Sequence, residues 1–75
     1  MSTTPHPHPR PSCLVSLGRS IAVARLEFGL TVPELAAEVG HSPSTIRQIE
    51  RGACAWLNRV RKVAEYLGVQ LPEDF

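Results

Sequence analysis

The side chains best suited to grip a polar surface in this chain lie between Gly40 and Gly52, in the stretch GHSPSTIRQIERG. Ser44, Arg47, Gln48 and Arg51 supply hydroxyl, guanidinium and amide groups of graded length. On a helix turning about 100° per residue, Ile46 and Ile49 share one side. The four polar residues fall roughly 100–200° from Ile46, on the outward side. That face holds donors and acceptors, no bulky apolar group and no acid. It suits the major groove of B-form DNA, about 12 Å wide, where Arg pairs with guanine O6/N7 and Gln with adenine N6/N7. Glu50 falls about 40° from Ile46, partly toward the core. A buried carboxylate there requires a partner, which makes Glu50 architectural rather than a reader or a catalytic acid.

Other chemistry is poorly supplied. Nucleophile–base pairing, a phosphate loop and a metal-ligand cluster are all missing from the sequence pattern, so an enzyme is not expected, nor a metal or cofactor. The histidines lie in the N-terminal stretch (His6, His8) and at one turn (His41). Two ligands on a solvated arm would lose much entropy on binding a metal. Cys13 and Cys54 lack CxxC spacing and zinc-finger partners, and are expected to be reduced thiols.

The elements that must position the polar face are legible around it. Ser42 can cap the third helix, Pro43 fits its first position and Gly52 its end. Before it, Thr31 with Glu34 forms a capping box, Leu30 can staple onto Leu35, and Pro33 fits the first turn. That second helix carries Leu35, Ala36 and Val39 and stops at Gly40. A first helix is expected from Leu14, with Ser12 or Ser16 as its cap, an apolar stripe of Leu14, Leu17, Ile21, Ala24 and Phe28, and Gly29 as its end. A fourth, from Leu57 to Leu67, should bury Leu57, Val60, Val63, Ala64 and Leu67. Residues 69–75 allow at most one further turn. The fold expected is all-α, a bundle of four or five short helices.

The chain has 75 residues, enough for one domain with a compact core. Its division is expected at residue 12: a disordered tail over 1–12, with four prolines alternating with His6, His8 and Arg10, and a folded domain over 13–75. Neither an apolar run near ~18 residues nor a signal-like h-region occurs, so no membrane association is expected and a cytoplasmic protein is. Net charge is only +1. Its distribution is uneven: His41 to Lys62 holds Arg47, Arg51, Arg59, Arg61 and Lys62 against Glu50 alone, which leaves the remainder acidic.

A second and third helix joined by a short Gly-containing turn, the later one polar and basic outside, make a helix-turn-helix arrangement. The runs LGRSIAVAR, GLTVPELAAEVGHSPSTIRQIERG and VAEYLGV, between Leu17 and Leu71, resemble the Cro/C1-type helix-turn-helix family of phage repressors and bacterial xenobiotic-response-element-like regulators. The resemblance implies a lambda-repressor-like DNA-binding domain whose second and third helices form the motif. It implies a structural ion pair between Arg25 and Glu50, base contacts from Ser44, Arg47 and Gln48, and phosphate contacts from Thr31, Ser42, Thr45, Arg51, Asn58 and Arg59. Pro43 stands where the family often has a reader, and offers only apolar contact. Val32 replaces the Gln usual in the first turn of the second helix, and Ala53-Cys54-Ala55-Trp56 replaces a loop that is often polar.

The function expected is sequence-specific binding of double-stranded DNA by a small regulator, a repressor or autoregulator. A homodimer on a palindromic operator is expected, formed before or only upon DNA binding. Its surface would use Trp56, Val69, Leu71 and Phe75. Trp56 has an alternative place, packed beneath the fourth helix. The rival function is an antitoxin-like or other protein-interaction module of the same fold.

Overall fold

The computed structural model describes residues 11–54 and 56–73, with the backbone alone for 11–13. Residues 1–10 of the tail expected over 1–12, and Phe75, lie outside the described residues. Four helices follow one another: α1 (Pro11–Glu27), α2 (Val32–Val39), α3 (Pro43–Glu50) and α4 (Leu57–Leu67). Among the described residues all regular structure is helical.

α1 begins earlier than expected. Pro11 opens it, so residues 11 and 12 belong to the helix, and Ser12 and Ser16 lie inside it rather than at a cap. A proline fits the first helical position because that N–H would lack a helical partner anyway. Leu17 and Ile21 are buried, while Leu14 and Ala24 are half-buried. Phe28, expected to continue this stripe, is exposed. The helix has ended by then: Gly29 N–H donates to Leu26 O at 3.0 Å and Leu30 N–H to Arg25 O at 3.1 Å. This reversal delivers Leu30, not Phe28, against the core.

α2 and α4 close the other sides. The capping box is formed: Glu34 N–H donates to Thr31 Oγ1 at 3.2 Å and Thr31 N–H to Glu34 Oε1 at 2.8 Å. Leu35, Ala36 and Val39 from α2 meet Val60, Val63, Ala64 and Leu67 from α4 in one core. Leu57 is half-buried rather than buried, because it stands in the first, looser turn of α4. Beyond α4 the chain folds back, with Val69 N–H on Ala64 O at 2.8 Å, and forms a turn at Glu73 but no fifth helix up to that residue. Ile21, Leu35, Ile46, Ile49 and Val63 are fully enclosed, each contributing about 2 kcal/mol.

α1 and α3 approach so closely that Gly18 has no room for a side chain. A Cβ at Gly18 would strike the Ile49 carbonyl oxygen and stand 2.6 Å from that of Glu50. Helix propensity alone favours Ala over Gly by about 1 kcal/mol. Here the obstacle is backbone, which cannot rotate away, so overpacking of about 1–3 kcal/mol should more than offset that gain. Gly18→Ala is expected to lower the melting temperature by roughly 5–10 °C in thermal unfolding followed by circular dichroism. An unchanged or higher value would show that the two helices stand further apart.

Candidate nucleic-acid interface

α3 is fixed at both ends. Thr45 N–H donates to Ser42 Oγ at 3.1 Å, and the two hydroxyls lie 3.0 Å apart. At the far end Gly52 N–H reaches Ile49 O at 3.0 Å and Ala53 N–H reaches Gln48 O at 2.9 Å. This closure needs a left-handed residue, and Gly52 supplies it with φ +76°. A Cβ at Gly52 would also stand 2.7 Å from Val15 Cα of α1. Gly40, left-handed at φ 73°, makes the turn between α2 and α3.

Ile46 and Ile49 point into the core. Ser44, Arg47 and Arg51 are exposed and Gln48 is half-buried, so the polar face expected of this helix is presented to solvent. Thr45 differs from expectation. It is buried and its hydroxyl is engaged with Ser42, so it braces the cap and does not offer its side chain to a phosphate.

Glu50, beside this face, is paired with Arg25. Arg25 Nε donates to Glu50 Oε2 at 2.6 Å and Nη2 to Oε1 at 3.3 Å, with the two side chains only 13% and 14% exposed. Arg25 Nη1 also donates to Leu30 O at 2.8 Å. One guanidinium thus holds the end of α3, its own helix and the loop that leads into α2. The fork geometry suits Arg and not Lys. The acid is neutralised where it stands, and the outer face of α3 keeps its basic character.

The other expected contact residues surround this helix. Thr31 and Ser42 cap α2 and α3, and both are exposed. The Thr31 hydroxyl accepts from Glu34 and keeps its proton to donate outward. Val32, where the family usually has Gln, is half-buried against the core and cannot donate. Asn58 and Arg59 are exposed in the first turn of α4. Trp56 is 57% exposed and does not pack beneath α4. The Arg59 guanidinium lies over its ring, 4.4 Å from the centroid, which limits where that cation can swing.

Val69 and Leu71, expected on a dimer surface, pack against the core and are half-buried, because the fold-back after α4 turns them inward. Cys54 is buried and free, with Sγ 3.8 Å from Trp56 O. The side chain of Cys13 lies outside the described residues. Between α2 and α4 the Tyr66 hydroxyl donates to Glu38 Oε1 at 3.2 Å. Desolvation, and then the Glu38 charge, raise the phenol above its ordinary pKa. Gly18 and Arg19 escaped the sequence reading. A glycine interrupting a helical pattern was the available signal for the first.

A short-turned helix pair, the second braced by its caps and by an ion pair, with a polar-basic face outward, defines a small all-helical DNA-binding domain of helix-turn-helix type. Residues 21–73 match the helix-turn-helix family model. The chain belongs to the Cro/C1-type helix-turn-helix family, whose members bind double-stranded DNA as transcriptional regulators. None of the curated proteins matches it. Among the described residues there is no cluster of His, Cys, Asp and Glu fit to hold a metal ion, and no helix long and apolar enough to cross a membrane.

Removing one partner of a nearly buried ion pair strands the other charge. Arg25→Ala should therefore destabilise the fold by about 2–4 kcal/mol in denaturant unfolding. Arg25→Met combined with Glu50→Leu should recover much of that loss, since neither charge is then left alone. An unchanged unfolding midpoint for Arg25→Ala would dismiss the pair as a support of α3.

Proposed function

We propose that this protein is a sequence-specific transcriptional regulator, a small repressor or autoregulator, that reads the major groove with α3. The observation that carries this reading is the exposed Ser44 and Arg47, with the half-buried Gln48 beside them, on a helix whose one acid is paired with Arg25. Arg47 would take guanine O6/N7 and Gln48 adenine N6/N7, so each half-site would hold at least one G and one A. Ser44 is the short polar member of the set. Thr31, Ser42, Arg51, Asn58 and Arg59 would hold phosphates and set the register, without reading sequence. Exposed N-caps at α2 and α3 favour this role for Thr31 and Ser42, since helix N-termini attract anions.

One such helix reads only a few base pairs. A symmetric pair of protomers on a palindrome, with half-sites about 34 Å apart, would supply the remaining specificity. Of the residues expected on a dimer surface, Trp56 is exposed. The protein would act in the compartment that holds the DNA, the bacterial or phage-infected cytoplasm. A second reading, a protein-interaction module, draws support from Val23, Leu26 and Phe28, which are exposed along and just beyond α1.

Fluorescence anisotropy on the DNA upstream of the gene and on its scrambled counterpart, across several salt concentrations, separates these readings. Preference for the native sequence, weakening with salt, is expected. Arg47→Ala or Gln48→Ala should reduce discrimination at one base position by roughly 1–3 kcal/mol. A uniform loss on every sequence would remove those residues from base reading. No binding even at low salt would move the interaction module to first place. Sedimentation of the free and DNA-bound protein tests the dimer: one protomer per duplex at saturation refutes it.

A further inference from the structure

α1 and α3 enclose an open depression lined by Val15, Arg19, Ala22, Arg47, Glu50 and Arg51. Three guanidiniums converge there from two helices. Its one carboxylate, Glu50, is already occupied by Arg25. Arg19, Arg47 and Arg51 are all exposed, and none makes an ion pair or side-chain hydrogen bond among the described residues. Arg19 also borders a depression on the outer side of α1 that includes Glu27. That acid stands two turns further along and does not pair with it.

We propose that this depression is an anion site for a DNA phosphodiester, in which Arg19 of α1 acts with Arg51, the residue that caps the end of α3. The inference rests on the DNA-reading function proposed above and adds an element to it. Arg19 precedes the family match, which begins at Ile21, and it lies on a helix outside the two-helix motif. Three like charges around one hollow repel one another, and an anion relieves that repulsion. The apolar floor of Val15 and Ala22 strengthens the field above it. Guanidinium forks match phosphate oxygens with paired, charge-assisted hydrogen bonds. The position also suits the geometry. A helix lying in the major groove has a sugar–phosphate strand on each side. Arg47 and Arg51 border the hollow from the face that enters the groove, so the strand on the α1 side passes Arg19. Closeness of α1 to α3, fixed at Gly18 immediately before Arg19, makes this reach possible.

The test is anisotropy of a fluorescein-labelled random-sequence duplex, and of the duplex upstream of the gene, at several salt concentrations. Arg19→Ala should weaken binding to both duplexes by the same factor, about 3–10-fold, and lower the slope of log K against log salt by about 0.9. Arg19→Lys should restore the slope, because the charge alone releases counterions. The melting temperature of Arg19→Ala should equal the parent's, since the side chain is exposed and has no partner among the described residues. Unchanged affinity and slope for Arg19→Ala, while Arg47→Ala still loses discrimination, would overturn this site and leave the DNA-reading function standing. A lowered melting temperature, or a loss confined to one sequence, would overturn it too. Absence of salt-dependent binding by the parent protein would overturn both.

Discussion

The contact between Arg25 and Glu50 is the constraint on which the placing of α3 depends. Three acceptors on one guanidinium, two from Glu50 and one from Leu30 O, join points far apart in the chain. Apolar packing of Ile46 and Ile49 holds α3 on the core but is non-directional. It would tolerate a small rotation of the helix about its own axis. The ion pair does not, because a forked donor must meet a planar carboxylate in a limited range of orientations. A rotation that broke it would leave two charges in a site less than one-sixth exposed, at a cost larger than most single contacts here supply. The outward angle of Arg47 and Gln48 is therefore set by a contact at the end of the same helix.

The close crossing of α1 and α3 adds a second restraint of a different kind. It is steric and works through backbone atoms, at Gly18 against Ile49 and Glu50 and at Gly52 against Val15. Protein interiors transmit such contacts stiffly, because they are packed without spare volume. Together the crossing, the caps and the ion pair restrain an eight-residue helix that would have no stability alone. A preorganised reading helix loses little entropy on binding, so more of each base contact is expressed as affinity.

The legible parts of the sequence were those with local causes. The capping box at Thr31, the cap at Ser42, the glycine ends and the bounds of α4 follow from neighbouring residues, and they stand where expected. The polar face of α3 followed from a period, and its exposure agrees. What failed depended on tertiary context. Periodicity placed Phe28 on the stripe of α1, but the helix ended a residue earlier and Leu30 took the core position. Thr45 looks like any first-turn threonine until the core is built beneath it. Trp56 had two places open to it, on an outer surface or beneath the fourth helix, and tertiary packing leaves its ring outside, under Arg59. Prolines before residue 12 masked the early start of α1, although Pro11 at a first helical position is itself a start signal.

Val32 links the substitution pattern to the distribution of charge. A Gln in that place would brace the readers and hold a phosphate, and Val32 instead contributes apolar area to the core. The exchange strengthens packing at the start of α2 and removes a donor from one wall of the reading helix. The donors that stay on that side are the hydroxyls of Thr31 and Ser42, which carry no charge. Beside α1, by contrast, Arg19, Arg47 and Arg51 gather around one hollow. Under the proposed mode of binding, the electrostatic grip on DNA shifts toward the α1 side. Counterion release depends on the number of phosphates neutralised and not on which helix supplies the cation, so a charge on α1 can replace affinity lost at α2. It cannot replace the bracing of readers that a Gln would give. That duty falls to the ion pair and to the close crossing of α1 and α3, which hold the helix from behind.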